Sequence, residues 1–451
     1  AFNQAFIPIY SEYHSENNEY VTKDFINALA GNFLIILFVF TLLVLLIAPI
    51  FILIFAPGFY VDDFKRDIAT DILRIMFPYL GLISLVAFAG GIQNTHGRFS
   101  LPASTPIIFN SCLIIAAIFI APKYELPIYI LAWGVVVAGL MQLFIQFFPL
   151  KQIDRLPVPK IDFHHPGAIK VFKLMIPAII AGGILQINLL VDTIFASLLT
   201  TGSPTWLYVS DRLIQFPMGI FAIAIGTVLL PELSKLNSDQ DKTKFIDRVK
   251  KGQRFVLFIG IPSFIGLAFC SVDLISTIFL RGEFGVGDVY QSSFSLIAFS
   301  FGLPFFMLMK VLTPTFFARK DTKTPMYIAL ISLMMNACLN YILAFTFGFG
   351  HIGIAIGSSI SAIISVLILE IILIKQGIVV LHNPVNRFNL SVLVSSIFMI
   401  VFLHSSSSYS FIDLNSFERV LFLLFKVLIS ITIYFSFARL IYGKPLKEIL
   451  D

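Results

Sequence analysis

Charge is scarce along this chain of 451 residues: Asp, Glu, Lys and Arg make up 13% of it, about half the roughly 25% of a soluble domain. With 58% apolar residues and a mean hydropathy of +0.92, too little polar surface remains to cover a water-soluble core, so the solvent it is built for is lipid. Cysteine is nearly absent. Cys112, Cys270 and Cys338 each fall in an apolar stretch and form no spaced cluster. That excludes a disulfide framework or a thiolate metal centre and predicts three small buried residues. The seven histidines include no H-x-x-x-H pair, no glycine-rich phosphate loop occurs, and Asp62-Asp63, beside Lys65 and Arg66, is the one adjacent acidic pair. An enzyme working at a membrane surface would be expected to present a denser acidic or histidine cluster; His164-His165 falls in a loop and is expected to be solvated. The alternation of a membrane barrel is also missing, and the opening residues are too polar for a secretory leader.

What the sequence has is long apolar runs. A helix needs about 20 apolar residues to cross a bilayer. Twelve stretches meet or approach that length: 27–56, 73–93, 106–121, 126–149, 171–199, 206–231, 254–280, 293–318, 325–349, 352–374, 389–404 and 418–442. Rich in Leu, Ile, Val and Phe, they read as helices, which satisfy their own backbone groups in lipid. Assigning the loops alternately to two sides puts twenty Lys and Arg on one side and six on the other, the six being Lys65, Arg66, Arg74, Lys123, Arg281 and Arg419. The positive-inside rule makes the richer side cytoplasmic and places the C-terminus there. Segment 236–253 carries Phe245 and Val249 on one helical face among Lys and Arg. It reads either as an interfacial amphipathic helix or as a basic loop.

Two halves of the chain resemble each other. Pro8 and Ser11 recur as Pro231 and Ser234 at an offset of 223, Gly58 as Gly282 at 224, and Pro78 as Pro304 at 226. Four matches in order at a nearly constant offset predict a duplication. Six spans lie between Pro8 and Pro231, and an even number makes the halves parallel, with a substrate path between them. The expected fold is an all-α polytopic membrane protein: an N-terminal lobe over 1–160, a C-terminal lobe over 161–380, and two trailing helices over 381–451. The same offset carries the start of the second half, near Pro166, to a point roughly 57 residues before Ala1, so the first of the two six-helix lobes is expected to be truncated.

An ionisable side chain at mid-membrane costs about 2.5–3.5 kcal/mol on insertion scales, which makes each one a functional candidate. Asp211 and Arg212 open the 206–231 span; as helix neighbours they point about 100° apart and need not pair. Arg212 either faces a wet cavity, where its planar fork suits a phosphate, or snorkels to the interface. Lys310, deep in 293–318, divides between the same readings, while Lys173, Glu370 and Lys426 are expected near interfaces. Asp192 lies near one end of 171–199, Asn336 and Asn340 share a helix face, and Ser358 stands in the small-residue run Gly357–Ser361. Carboxylate, amide and hydroxyl oxygens together suit a hard cation such as Na+; interhelical hydrogen bonding is the alternative. Pro177 and Gly182-Gly183 predict a kink or hinge.

Taken together, specific motifs add a resemblance. The stretch from Trp206 through Asp211-Arg212, Gln215, Pro217, Gly219, Gly226 and Pro231 to Ser234 resembles the signature of the MurJ (MviN) lipid II flippases of the MOP exporter superfamily. Ala5–Tyr13, Phe77–Ser84, Gly97–Pro102, Ile187–Thr193 and Arg319–Pro325 fit the same family, so the likeness covers essentially the whole chain. It implies fourteen helices, in two six-helix lobes plus a trailing pair that forms a lipid-tail groove. The implied activity is not enzymatic: it flips lipid II, an undecaprenyl-pyrophosphate-linked disaccharide-pentapeptide, from the inner to the outer leaflet of the inner membrane for peptidoglycan assembly. Arg212 matches an arginine of the family's cationic cavity, and the family's other cavity arginines lie upstream of Ala1. Asp211 and Lys310 complete the candidate substrate-binding set. Some members bind Na+, and Asp192, Asn336, Asn340 and Ser358 fall at the matching places, with Asn340 where an Asp can occur. Lipid II, membrane lipids and cell-wall synthesis proteins are the implied partners, with no nucleic acid. The alternatives are an exporter of other lipid-linked oligosaccharides, a cation-coupled drug antiporter, and a polyprenyl-phosphate membrane enzyme.

Overall fold

A computed structural model describes residues 2–15, 18–238, 241–378, 386–406, 412 and 414–443, which are mostly helical, with no strand among them. The first half contains α1 (Phe2–Ser15), α2 (Glu19–Leu46), α3 (Ala48–Phe55), the single turn α4 (Pro57–Tyr60), α5 (Asp63–Met76), α6 (Pro78–Thr95), α7 (Ser100–Ile115) and α8 (Pro127–Gln152). There follow α9 (Pro166–Ser197), α10 (Ser203–Pro217), α11 (Ile223–Ser238), α12 (Lys242–Phe269), α13 (Ser271–Phe279), α14 (Val286–Ala318), α15 (Lys323–Tyr341), α16 (Gly350–Lys375), α17 (Arg387–Ser405) and α18 (Ser416–Tyr442). Among the described residues, eleven helical stretches are long and apolar enough to cross a membrane. The expected span 171–199 falls on α9, which runs as one unbroken helix of 32 residues. The hinge expected there is therefore no break in the helix; the side chains of Pro177 and Gly182 lie outside the described residues.

The duplication appears in the element starts. Helices α2, α3, α5, α7 and α8 begin at residues 19, 48, 63, 100 and 127, and α12, α13, α14, α15 and α16 at 242, 271, 286, 323 and 350, an offset of 223 every time. The caps repeat as well. Val21 donates its backbone N–H to the Asn18 side chain at 3.3 Å, and Lys244 donates to Asp241 at 3.1 Å, each cap satisfying a free N–H of the first turn. A widened π turn follows α7 at Ala116–Ile120 and α15 at Ile342–Thr346; a third, Met218–Ala222, joins α10 to α11 just after Pro217. Residues 242–253 do not form a separate interfacial helix. They are the first three turns of α12, with Phe245 and Val249 buried, because Asp241 starts the helix and nothing in the following sequence interrupts it.

Two compact units make up the chain, residues 1–190 and 191–451. The core of the first is aromatic, built on Phe6, Tyr10, Phe25 and Phe88, and it takes in Ala168 and Val171 from the start of α9. The first unit thus extends into α9. The loop that precedes α9 is stapled to α2. The Asn27 carbonyl accepts from Lys160 N at 3.0 Å and its side chain from Val158 N at 2.8 Å, while Asn32 and Asp162 exchange two bonds of 2.6 and 2.9 Å. Lys23 meets Asp154 nearby and holds its carboxyl below the usual range. His165 packs against the rings of Tyr13 and Phe25, 3.8 Å from Asp24. Only His164, which is exposed, is solvated as expected.

The second unit is organised around α14, whose buried Ser292, Ser293, Ser295 and Ser300 accompany Ser358, Ser359, Ser361 and Ser365 of α16. Ser359 donates to the Ala298 carbonyl at 2.8 Å; small side chains let the two backbones approach, as bundles in lipid require. Of the three cysteines, only Cys270 is buried; Cys112 is half-buried and Cys338 exposed. Two residues from both Asn336 and Asn340, Cys338 points to the opposite side of α15.

Gly31 sets how closely the stapled loop approaches, since a Cβ there would lie 2.2 Å from the Lys160 carbonyl oxygen. Gly31→Ala is expected to lower the thermal midpoint of the purified protein, equivalent to roughly 1–3 kcal/mol of overpacking. Gly287→Ala, where a Cβ meets nothing within 4 Å, should leave it unchanged.

Candidate functional site

Four of the residues singled out in the sequence converge in the second unit. Asn336 and Asn340, one turn apart on α15, face Ser358 of α16 and Asp192 near the end of α9. Asn340 Nδ2 donates to Asp192 Oδ1 at 2.6 Å and to Asn336 Oδ1 at 3.1 Å. Asn336 Nδ2 donates to Ser358 Oγ at 2.9 Å, and Ser358 Oγ to Asp192 Oδ2 at 3.4 Å. The ring is closed, and Asn336 and Asn340 are fully buried. Gly357 makes room for it, because a Cβ there would lie 2.5 Å from Asn340 Oδ1.

One atom of this ring is left over: Asn340 Oδ1 is buried and has no hydrogen-bond partner among the described residues. As placed, the Asn340 amide turns its nitrogen, not its oxygen, toward Asp192. Turning the amide over would present oxygens of three kinds, carboxylate, amide and hydroxyl, from the four residues Asp192, Asn336, Asn340 and Ser358, with one formal negative charge. Such a set fits a monovalent cation better than a divalent one, which wants more carboxylates.

The second group is on α10. Trp206 Nε1 donates to Asp288 Oδ1 at 2.7 Å, and Ser210 Oγ to the Ser292 carbonyl at 2.7 Å. These bonds seat one face of α10 against α14 and turn Arg212 to the opposite, exposed face. There its guanidinium lies 4.8 Å from the centre of the Tyr208 ring and donates to Gln215 Oε1 at 3.5 Å. Gln215 in turn donates to Asp211, so Asp211 and Arg212 communicate through a neutral amide and do not pair directly. Lys310 is exposed on α14, with Gly226 of α11 packed against its backbone. No contact among the described residues joins Lys310 to Arg212.

The sequence reading missed Asp273. It forms a buried ion pair with Lys426 at 2.6 Å, so Lys426 is not at an interface as expected. Glu370 accepts from Gln253 at 3.1 Å and is half-buried. The available signal was the spacing of Arg419, Lys426 and Tyr434 along a largely apolar helix, about two turns apart each time.

Asn340→Leu removes the two N–H donations that reach Asp192 Oδ1 and Asn336 Oδ1, leaving both oxygens without that donor. A loss of roughly 1–3 kcal/mol is expected, read as a lower thermal midpoint, whereas Cys338→Ala on the exposed face should match the parent.

A family model described as Lipid II flippase MurJ matches residues 1–445. A Vibrio cholerae protein named probable lipid II flippase MurJ is 39% identical over 385 residues, covering 84% of this chain and 73% of that protein. A Haemophilus influenzae protein of the same name is 35% identical over 449 residues, covering 96% and 88%. Among solved structures, a lipid II flippase MurJ in an inward closed conformation matches with a TM-score of 0.80 at 26% identity, over 100% of this chain and 88% of that one. A MATE-family multidrug resistance transporter of the MOP superfamily shares the fold alone, with a TM-score of 0.70 at 9% identity over 83% and 85% of the two chains. With residues 1–445 matched and its helices repeating as they do, this multi-pass membrane chain belongs to the lipid II flippase MurJ family.

Proposed function

We propose that this chain flips lipid II from the inner to the outer leaflet of the inner membrane by alternating access of its two lobes. The observation that carries the reading is Arg212. It is a permanent cation on a membrane-spanning helix, turned away from the packed face and held by the neutral groups Gln215 and Tyr208. Its guanidinium fork matches a pyrophosphate bidentately. Gln215, oriented by Asp211, keeps that fork in place, and Lys310 supplies a second cation. The polyprenyl tail stays in lipid beside the trailing pair, and the loops rich in Lys and Arg, with the C-terminus, face the cytoplasm. Moving an anion outward follows a potential negative inside, worth about 2.3 kcal/mol per charge per 100 mV, so the cycle needs no nucleotide. No covalent step is involved: the family is one of transporters, which sets the polyprenyl-phosphate enzyme aside. Enzymes of cell-wall synthesis on the two sides of the membrane would supply and consume the substrate.

Arg212→Ala at normal membrane levels should fail to support growth of a flippase-depleted strain and should slow flipping in proteoliposomes at least about ten-fold, or roughly 1.4 kcal/mol. Arg212→Lys, a point charge without the fork, should recover only part of the rate. Unchanged growth and rate would remove Arg212 from the mechanism. Faster flipping of other lipid-linked oligosaccharides, or of organic cations, would favour the related exporters.

We further propose that Asp192, Asn336, Asn340 and Ser358 hold Na+. The ion would neutralise Asp192 and tie the end of α9 to α15 and α16, and the partnerless Asn340 oxygen supports the fit. The thermal midpoint should rise with Na+ concentration but not with K+ at equal ionic strength, as binding to the native state requires. Asn340→Asp should shift that rise to lower Na+. Equal midpoints in the two salts would rule the site out.

A further inference from the structure

Helix α18 presents one narrow buried stripe, Leu423, Lys426, Ser430, Tyr434 and Ala438. Phe422, Phe425 and Leu428 on its other faces are exposed. Polar bonds attach the stripe at three depths. Arg419 Nη1 donates to the Ser276 carbonyl at 3.3 Å, Lys426 Nζ to Asp273 Oδ2 at 2.6 Å, and Tyr434 OH to the Phe258 carbonyl at 2.8 Å. Within lipid, apolar side chains gain little by touching one another instead of acyl chains, so polar bonds decide where a helix docks.

The internal repeat shows that this polarity is an addition. The offset of 223 that relates α3 to α13 carries Asp273 back to Ile50 and Ser276 back to Leu53. Ile50 is 53% exposed and Leu53 45% exposed, against 8% for Asp273 and 1% for Ser276. The two copies share the same helix at the same register. Only the copy that receives α18 carries a carboxylate there and buries it.

We propose that the Asp273–Lys426 ion pair is a positioning latch. It fixes α18, and with it the trailing helix pair, to α13 of the same unit, so that the pair moves with α13 and holds the substrate's lipid tail in a set place. The part of this that concerns the tail rests on the flippase reading above. Asp273 and Lys426 are positioning residues, since they bond each other and would act on the tail only through α18. The latch differs from a buried pair in a soluble protein in one respect. In water, replacing both charges by apolar groups is often neutral; in lipid the apolar replacements have no preference for each other, so the docking at this depth is loosened and only the Arg419 and Tyr434 bonds remain.

The test uses the full chain in nanodiscs, with Cys112→Ser and Cys338→Ser, and spin labels at Tyr290→Cys and Phe417→Cys, both exposed positions. A single narrow distance distribution is expected for the parent and for Lys426→Arg. It should broaden in Asp273→Leu and in Asp273→Leu/Lys426→Leu, and narrow again in the exchange Asp273→Lys/Lys426→Asp. Flipping of lipid II with its full polyprenyl chain should fall at least about ten-fold in both leucine variants, while an analogue with a short chain is flipped at the parental rate. A narrow distribution in the double leucine variant, or equal loss for both substrates, would overturn the latch. If the parent flips neither substrate, the flippase reading fails, and the distance distributions still decide whether the pair docks α18.

Discussion

A bilayer offers apolar side chains the same company inside and outside the protein, so the bonds between polar groups determine how these helices are arranged. The second unit illustrates the constraint. Its central helix is bound to α16 through serines, to α10 through Trp206–Asp288 and Ser210–Ser292, and α18 is attached through Lys426 and Tyr434. Here each specifies a neighbour and a rotation about the helix axis, and the rotation of α10 in turn leaves Arg212 on an open face.

The two polar groups of the candidate site follow from that packing in different ways. The Asp192 ring is buried at a junction of three helices, and its geometry is that of a structural network with one oxygen to spare. Arg212 lies where no helix of its own unit covers it, beside an amide and an aromatic ring that orient its fork without neutralising it. Burial with a closed network suits a small dehydrated ion; exposure with an open charge suits a large anion that must arrive and leave.

Most of the fold was legible in the sequence because length and repetition are one-dimensional signals. The twelve apolar stretches all fall on helices, and four short matches were enough to reveal an offset that the helix starts repeat to the residue. The convergence of Asn336, Asn340, Ser358 and Asp192 was partly legible too, from spacing on one helix and a small-residue run on the next. What the sequence concealed were partners far apart in the chain. Asp273 and Lys426 are separated by 153 positions, and each alone looks like an interfacial charge. His165 looked solvated because its aromatic neighbours, Tyr13 and Phe25, come from the other end of the first half. Cys338 looked buried because an apolar run does not say which of its faces turns outward.

Helix α12 has a last implication. Its 28 residues, at 1.5 Å each, span about 42 Å, while the hydrocarbon layer is about 30 Å thick. The excess is the stretch bearing Lys244, Arg248, Lys250 and Lys251, which stands as a rigid stem beyond the acyl chains because it is continuous with the helix that crosses them. A thicker bilayer would draw this charged collar toward the acyl chains and a thinner one would tilt it, so hydrophobic mismatch acts on α12 together with the end of α11 that Arg248 joins through Glu232.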